Sequence, residues 1–202
     1  MDLNTLLTAV TSQLSEQQST LNAADETNHD HGDNMVQIFN LIQSAVNEKS
    51  EQPVEQQLEY ASQVVEKEAD SGSAKLYAQG LSKAARNFSG KELQPENLDL
   101  LVKGLLNVEE PPQEKETGLL GSLLSGLSGK EKESDRDQKI GVDELLRAGL
   151  SFYQSKQEGS STTDALLGAL LAASPLGQSK HRSMSGSIVA STIMGFAKSQ
   201  QK

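Results

Sequence analysis

The chain contains no cysteine, which excludes disulfides and thiol chemistry outright. Aromatic residues make up only 3% of it, so the core has to be built mainly from Leu, Ala, Val and Ile, a composition that favours helix packing. No run approaches the 18 or so apolar residues of a membrane span. Basic charge is also short. The 18 Lys and Arg stand against 28 Asp and Glu, and the net charge of -10 argues against a general nucleic-acid binder, which needs a basic face. Met1-Asp2-Leu3 opens without a basic n-region or a long apolar h-region, so no secretory signal is predicted and the chain reads as soluble and cytoplasmic. No convincing alternating strand is visible either.

What is present is helical periodicity over a chain of 202 residues, long enough for a substantial core. Leu3, Leu6, Leu7, Val10 and Leu14 predict an amphipathic first helix, and Met35, Ile38, Phe39, Ile42 and Val46 a second starting near Asp33. Pro53 can open a third, with Leu58, Ala61, Val64 and Val65 on its apolar face. After a break at Asp70-Ser71-Gly72-Ser73, the residues Leu76, Tyr77, Leu81 and Ala84 continue in helical register. Pro95 precedes the stripe Leu98, Leu101, Val102 and Leu105. Further stripes run through Val142 to Leu150 and, from a cap at Thr162 or Thr163, to Leu171, where Pro175-Leu176-Gly177 ends the helix. Ser185-Gly186-Ser187 is read as a loop before a last helix through Ile188, Ile193, Met194 and Phe196. The expected fold is all-α: a single up-down helical barrel or bundle over residues 1–202, with about seven or eight helices.

Between about 108 and 139 the texture changes to prolines, charges and a Gly/Leu-rich stretch, Gly118 to Leu127. It is read as a low-complexity insertion with mobile, charged flanks. Its leucines share one helical face, open to docking on this protein, to a partner or, least favoured for want of lysines, to a membrane surface.

One segment dominates the chemistry. From Asp25 to Asn34 the chain holds three aspartates, a glutamate, two asparagines and two of its three histidines. Carboxylates crowded at one turn repel, and a cation is the usual compensation; Mg²⁺ prefers one or two carboxylates together with waters and phosphates. A metal-and-phosphate site is one reading, and a polar helix-capping turn is the other. His31 is divided in the same way, between a histidine bonded to backbone and one that orients acidic ligands or phosphates. The spacings match neither an EF-hand nor a zinc helix, and no Walker-type loop or serine-nucleophile elbow occurs. Three small-residue segments, at 71–73, 159–163 and 185–187, each stand ahead of a helical stretch and can lend N–H groups to a phosphate.

The acidic segment resembles the L-domain family of dihydroxyacetone (glycerone) kinases, the DhaL or DAK2 domain, which reads roughly L-N-x-x-D, a spacer, then D-G-D-H-G-x-N-M. Leu21, Asn22 and Asp25 match the first part, and Asp30, His31, Gly32, Asn34 and Met35 the second. Asn28 stands where the family has its first aspartate, His29 stands where it has glycine, and the spacer is shorter. Ser73-Ala74-Lys75-Leu76-Tyr77 is similar to S-G-P-L-Y, Gly159 to Leu166 to G-D-K-T-M-L-D-A-L, and Ala173-Ser174-Pro175-Leu176-Gly177 to A-S-Y-L-G.

The resemblance implies that Asp25 and Asp30 ligate Mg²⁺, with Asp33 or Asn28 in place of the third ligand. It implies that His31, Gly32, Asn34 and Met35, together with Ser71, Gly72, Ser73 and Thr162, contribute to an ADP or ATP site. Leu76, Leu176 and Gly177 would line its adenine side. The acidic loop, residues 71–73 and residues 173–187 should then meet at one end. Family members act with a separate K-type subunit that binds the small keto-sugar. The leading expectation is a nucleotide-binding phosphotransferase (kinase) subunit, and the rival is a non-catalytic helical binding or regulatory module. No catalytic residue is assigned, and association with a second copy of the chain stays open.

Overall fold

The structure is a computed structural model that describes residues 1–108 and 168–200; the insertion read at 108–139, apart from Val108, and Thr162 lie outside the described residues. Described elements are α1 (Leu3–Glu16), α2 (Gln18–Ala24), α3 (His31–Glu48), α4 (Val54–Glu68), α5 (Gly72–Asn87), α6 (Leu98–Leu105) and a last helix, α7 (Lys180–Gln200). Two short 3₁₀ turns, Pro95–Asn97 and Pro175–Gln178, lead into α6 and α7. The fold is all-α, and no strand occurs among the described residues.

Helices α1, α3, α4, α5 and α6 turn most of the predicted stripe inward, whereas on α7 only Ile193 of the predicted residues is buried. On α1, Leu3, Leu6, Leu7, Val10 and Leu14 are buried, as are Met35, Ile38, Phe39, Ile42 and Val46 on α3. Helix starts follow from side chains that satisfy free N–H groups. Asp2 accepts from Asn4 and Thr5 at the head of α1, and Ser71 accepts from Ala74 at the head of α5. Pro53 lies immediately before α4, and Pro95 opens the turn ahead of α6.

The helices close on themselves as an up-down barrel. α1 packs on α3, α3 on α4, α4 on α5, α5 on α6, α6 on α7, and α7 returns to α1. Aromatics are few but central: Phe39 and Tyr77 meet edge to face with centroids 5.2 Å apart. The crossing of α5 and α6 is tight because Gly104 lies against Ala84, where a Cβ would fall 2.6 Å from the Ala84 Cα.

Two boundaries differ from expectation. Leu21 and Asn22 belong to a short helix, α2, so the acidic loop shrinks to the six residues Asp25–Asp30, and α3 begins at His31, two residues before the expected start near Asp33. More consequentially, Ser185-Gly186-Ser187 is no loop. The last helix already starts at Lys180, and this triplet forms its second turn, so it offers no free N–H groups to a ligand. Serine and glycine tolerate helix interiors when packing requires small residues, and here Ser185 and Gly186 are buried.

Candidate functional site

The acidic loop joins α2 to α3, and its geometry turns on Asn22. From α2, the Asn22 Oδ1 accepts the N–H groups of Gly32 (2.6 Å) and Asp33 (3.2 Å). Two of the first N–H groups of α3 are thus satisfied by a neighbouring helix, and Asp30, at the N-cap position, makes no side-chain cap bond. Its Oδ1 accepts instead from Asn28 Nδ2 and Asn34 Nδ2, both at 2.8 Å. Asn22 also donates to Asp33 Oδ1 (2.9 Å), which takes a second bond from Gln18 Nε2 (2.6 Å). Those two bonds, Asn22 first, hold the Asp33 carboxyl below its ordinary range and fasten it to α2.

His29 carries φ of 58°, in the left-handed region. An L side chain there costs about 1–2 kcal/mol relative to glycine, the residue the family motif has at this point. His29→Gly is therefore expected to stabilise the chain by about 1 kcal/mol net of the added freedom of the unfolded chain. A denaturant midpoint equal to or below that of the unmutated chain would contradict this.

Around the loop lies an open, mostly polar cavity of about 660 Å³. One wall is Asp25, Asn28, Asp30, His31 and Asn34; a second is Glu68, Asp70 and the start of α5 at Ser71, Gly72 and Ser73. The third is His181 and Arg182, from the first turn of α7. Asp25 is only 3% exposed and accepts from the Thr27 N–H at 3.1 Å. Burial pushes its carboxyl up, but the bond from Thr27 and the charge of His181 outweigh that and leave it below its ordinary value.

Behind this wall runs a chain of polar groups. His181 Nδ1 lies 3.8 Å from Asp25 Oδ1, the His181 ring stands 4.6 Å from that of His31, and His31 Nε2 is 3.0 Å from Ser185 Oγ. Ser185 donates its hydroxyl hydrogen to the Arg182 carbonyl (3.0 Å), so it accepts from His31. Burial, with His181 next, pushes His31 down to about 4, and Asp25 only partly opposes this. His31 is thus a neutral strut between α3 and α7. Arg182 is different. Its Nε is buried with no hydrogen-bond partner, and among the described residues no carboxylate lies within ion-pair distance of it. Gly72 makes room for it: a Cβ at that position would fall 2.8 Å from Arg182 Nη2.

Of the residues singled out in the sequence, the cavity gathers Asp25, Asp30, His31, Asn34, Ser71, Gly72 and Ser73. Asp33 is not among its lining residues, and Met35 and Leu176 are buried in the core. Leu76 is partly buried against the core. Gly32 and Gly177 serve close packing, since a Cβ on either would run into a backbone carbonyl oxygen, of Gln18 and Leu171 respectively. Among the described residues no three His, Asp or Glu side chains form a group that would enclose a metal ion unaided. A metal here would take one or two carboxylates and complete its shell with water and phosphate, the habit of Mg²⁺. Sequence reasoning missed His181, Arg182, Glu68 and Asp70. The Lys180-His181-Arg182 run lies within 173–187, the segment expected to meet the acidic loop, but its basic residues carry no mark of a site role in sequence.

A family model described as the DAK2 domain matches residues 29–179, well over half of the chain. The match takes in Asp30, Asn34 and residues 71–73, while Asp25, His181 and Arg182 lie outside it. No curated protein and no solved structure matches the chain.

Proposed function

The chain belongs to the DAK2-domain family, and from that premise we propose that it is a Mg²⁺-dependent, adenine-nucleotide-binding phosphotransferase subunit of the glycerone kinase L type. One observation carries the reading: a single cavity is lined by the carboxylates Asp25 and Asp30, by the start of α5 and by Arg182, whose Nε has no hydrogen-bond partner. That donor set fits a metal–polyphosphate, whose cation needs hard oxygen ligands and whose phosphoryl oxygens need N–H donors. Asp25 and Asp30 would hold Mg²⁺, with Asn28 and Asn34 keeping Asp30 oriented. When bound, the ion supplies neutralisation of phosphate charge during transfer. Ser71, Gly72 and Ser73 would receive phosphate, and residues 1–202 would act as a single domain. A separate K-type subunit would present the small keto-sugar.

The rival reading, a non-catalytic binding or regulatory module, is favoured by one feature: Asp33 is committed to Asn22 and Gln18, which leaves two carboxylates from the acidic segment at the cavity. Thermal unfolding with Mg²⁺ and ADP or ATP separates the two. A functional site is expected to raise stability by about 2.7 kcal/mol at a hundredfold excess of ligand over its dissociation constant. The gain should require the metal and vanish in Asp30→Asn. No shift at millimolar ligand would leave the module reading standing.

A further inference from the structure

We infer that Arg182 is a phosphoryl-binding residue of this cavity, taking a phosphate of a metal-bound polyphosphate whose cation is held by Asp25 and Asp30. The inference rests on the proposed function and deepens it, since Arg182 lies outside the residues matched by the family model.

Arginine bears a permanent charge, and Arg182 is partly buried. Here Nε is buried and has no partner, although Glu68 and Asp70 line the same cavity. Such an orphaned donor lacks an acceptor that the protein itself does not provide. The backbone around it is shaped to leave space. Gly72 lies where any side chain would press on Nη2, and at the adjacent start of α5, a helix of 16 residues, Ser71 takes the N–H groups of Ala74 and Lys75, leaving those of Gly72 and Ser73. Ser185 holds the Arg182 carbonyl, and that hydroxyl is fixed in turn by His31, so the turn that carries the guanidinium is anchored from α3. Planar N–H donors beside helix N–H groups match the oxygens of a phosphate. Four carboxylates, Asp25, Asp30, Glu68 and Asp70, would repel a bare anion. The ligand therefore has to bring its own cation, which Asp25 and Asp30 receive while Arg182 receives the phosphate.

The experiment compares three probes on the full chain: Mn²⁺ alone, by electron paramagnetic resonance, and Mg²⁺-tripolyphosphate and Mg²⁺-ADP, by calorimetry. Arg182→Ala should weaken both phosphate ligands about ten- to hundredfold. Its affinity for Mn²⁺ alone should hold or rise, because a nearby positive charge has been removed. Arg182→Lys should recover part of the loss. Gly72→Ala, which crowds the guanidinium without deleting it, should also weaken phosphate, and it keeps the test open if Arg182→Ala does not fold. If Mg²⁺-ADP binds the unmutated chain and the variants equally, the inference falls while the proposed function stands. If tripolyphosphate binds through Arg182 but ADP does not bind, the inference stands and the nucleotide reading falls. Binding of neither phosphate ligand, or a parallel loss of Mn²⁺ and phosphate in the variants, overturns the inference.

Discussion

Gly32→Ala is expected to destabilise the chain by about 3 kcal/mol, the upper range for forcing atoms into a packed contact. A Cβ on Gly32 would run into the Gln18 carbonyl oxygen and fall 2.8 Å from Asn22 Oδ1. The carbonyl belongs to helical backbone at the first residue of α2, so it cannot swing aside as a side chain can. α2 would have to move off α3. That movement would break the 2.6 Å bond from the Gly32 N–H to Asn22 and release Asp33 from its two amide partners. The damage would then reach the cavity, because Asp30 would become the nearest acceptor for the uncapped N–H groups of α3 and turn away from its present position. Urea unfolding checks the magnitude, with Gly195→Ala as the control. Gly195 lies on α7 with open space around it, and an alanine there should be neutral or stabilise by up to about 1 kcal/mol. Equal midpoints for the two variants would show that the α2–α3 approach is not tight.

The same contact explains which parts of the molecule were legible in advance. Helices α1, α3, α4, α5 and α6 each bury a stripe of aliphatic residues at three- and four-residue spacing, and burial of one face is what the period encodes. α2 was not legible. It has one buried apolar residue, Leu21, and it is held by what Gln18 and Asn22 bond on α3, which no local period reveals. The start of α7 was misplaced for a related reason. Ser185-Gly186-Ser187 has loop chemistry locally, but Ser185 is wanted inside the helix to bridge Arg182 and His31, a partner 154 residues away.

The site was legible where function resides in residue type and opaque where it resides in direction. The resemblance singled out Asp25 and Asp30, and both line the cavity. Asp33 looked equivalent in sequence, yet at α3 position 33 it points along the helix side that meets α2, where Asn22 and Gln18 take it up. Arg182 carries the opposite lesson. Nothing in its neighbours Lys180 and His181 marks it as special. What distinguishes it is the missing Cβ of Gly72, in an element more than a hundred residues earlier in the chain.

Metal-free chain is expected to lose about 3 kcal/mol of stability as pH falls from 6.5 to 4, through His31. The ordinary histidine value is 6.5, and burial, then the charges of His181 and Arg182, push His31 down to about 4 in the fold. The unfolded chain therefore takes up a proton at a pH where the fold still refuses it. The contribution of neutral His31 is complete above 6.5 and drains away as pH falls through that window to about 4, at roughly 1.4 kcal/mol per pH unit. Asp2, Asp25 and Asp33 are also held below their ordinary 3.8, so their contributions are lost mainly beneath this window. His31→Gln supplies the decisive comparison, because glutamine can still donate to Ser185 but does not titrate. Its stability, read from urea midpoints between pH 7 and pH 4, should fall much less steeply than that of the unmutated chain. Parallel slopes in the two proteins would move the acid sensitivity to other groups and remove His31 as the neutral strut between α3 and α7.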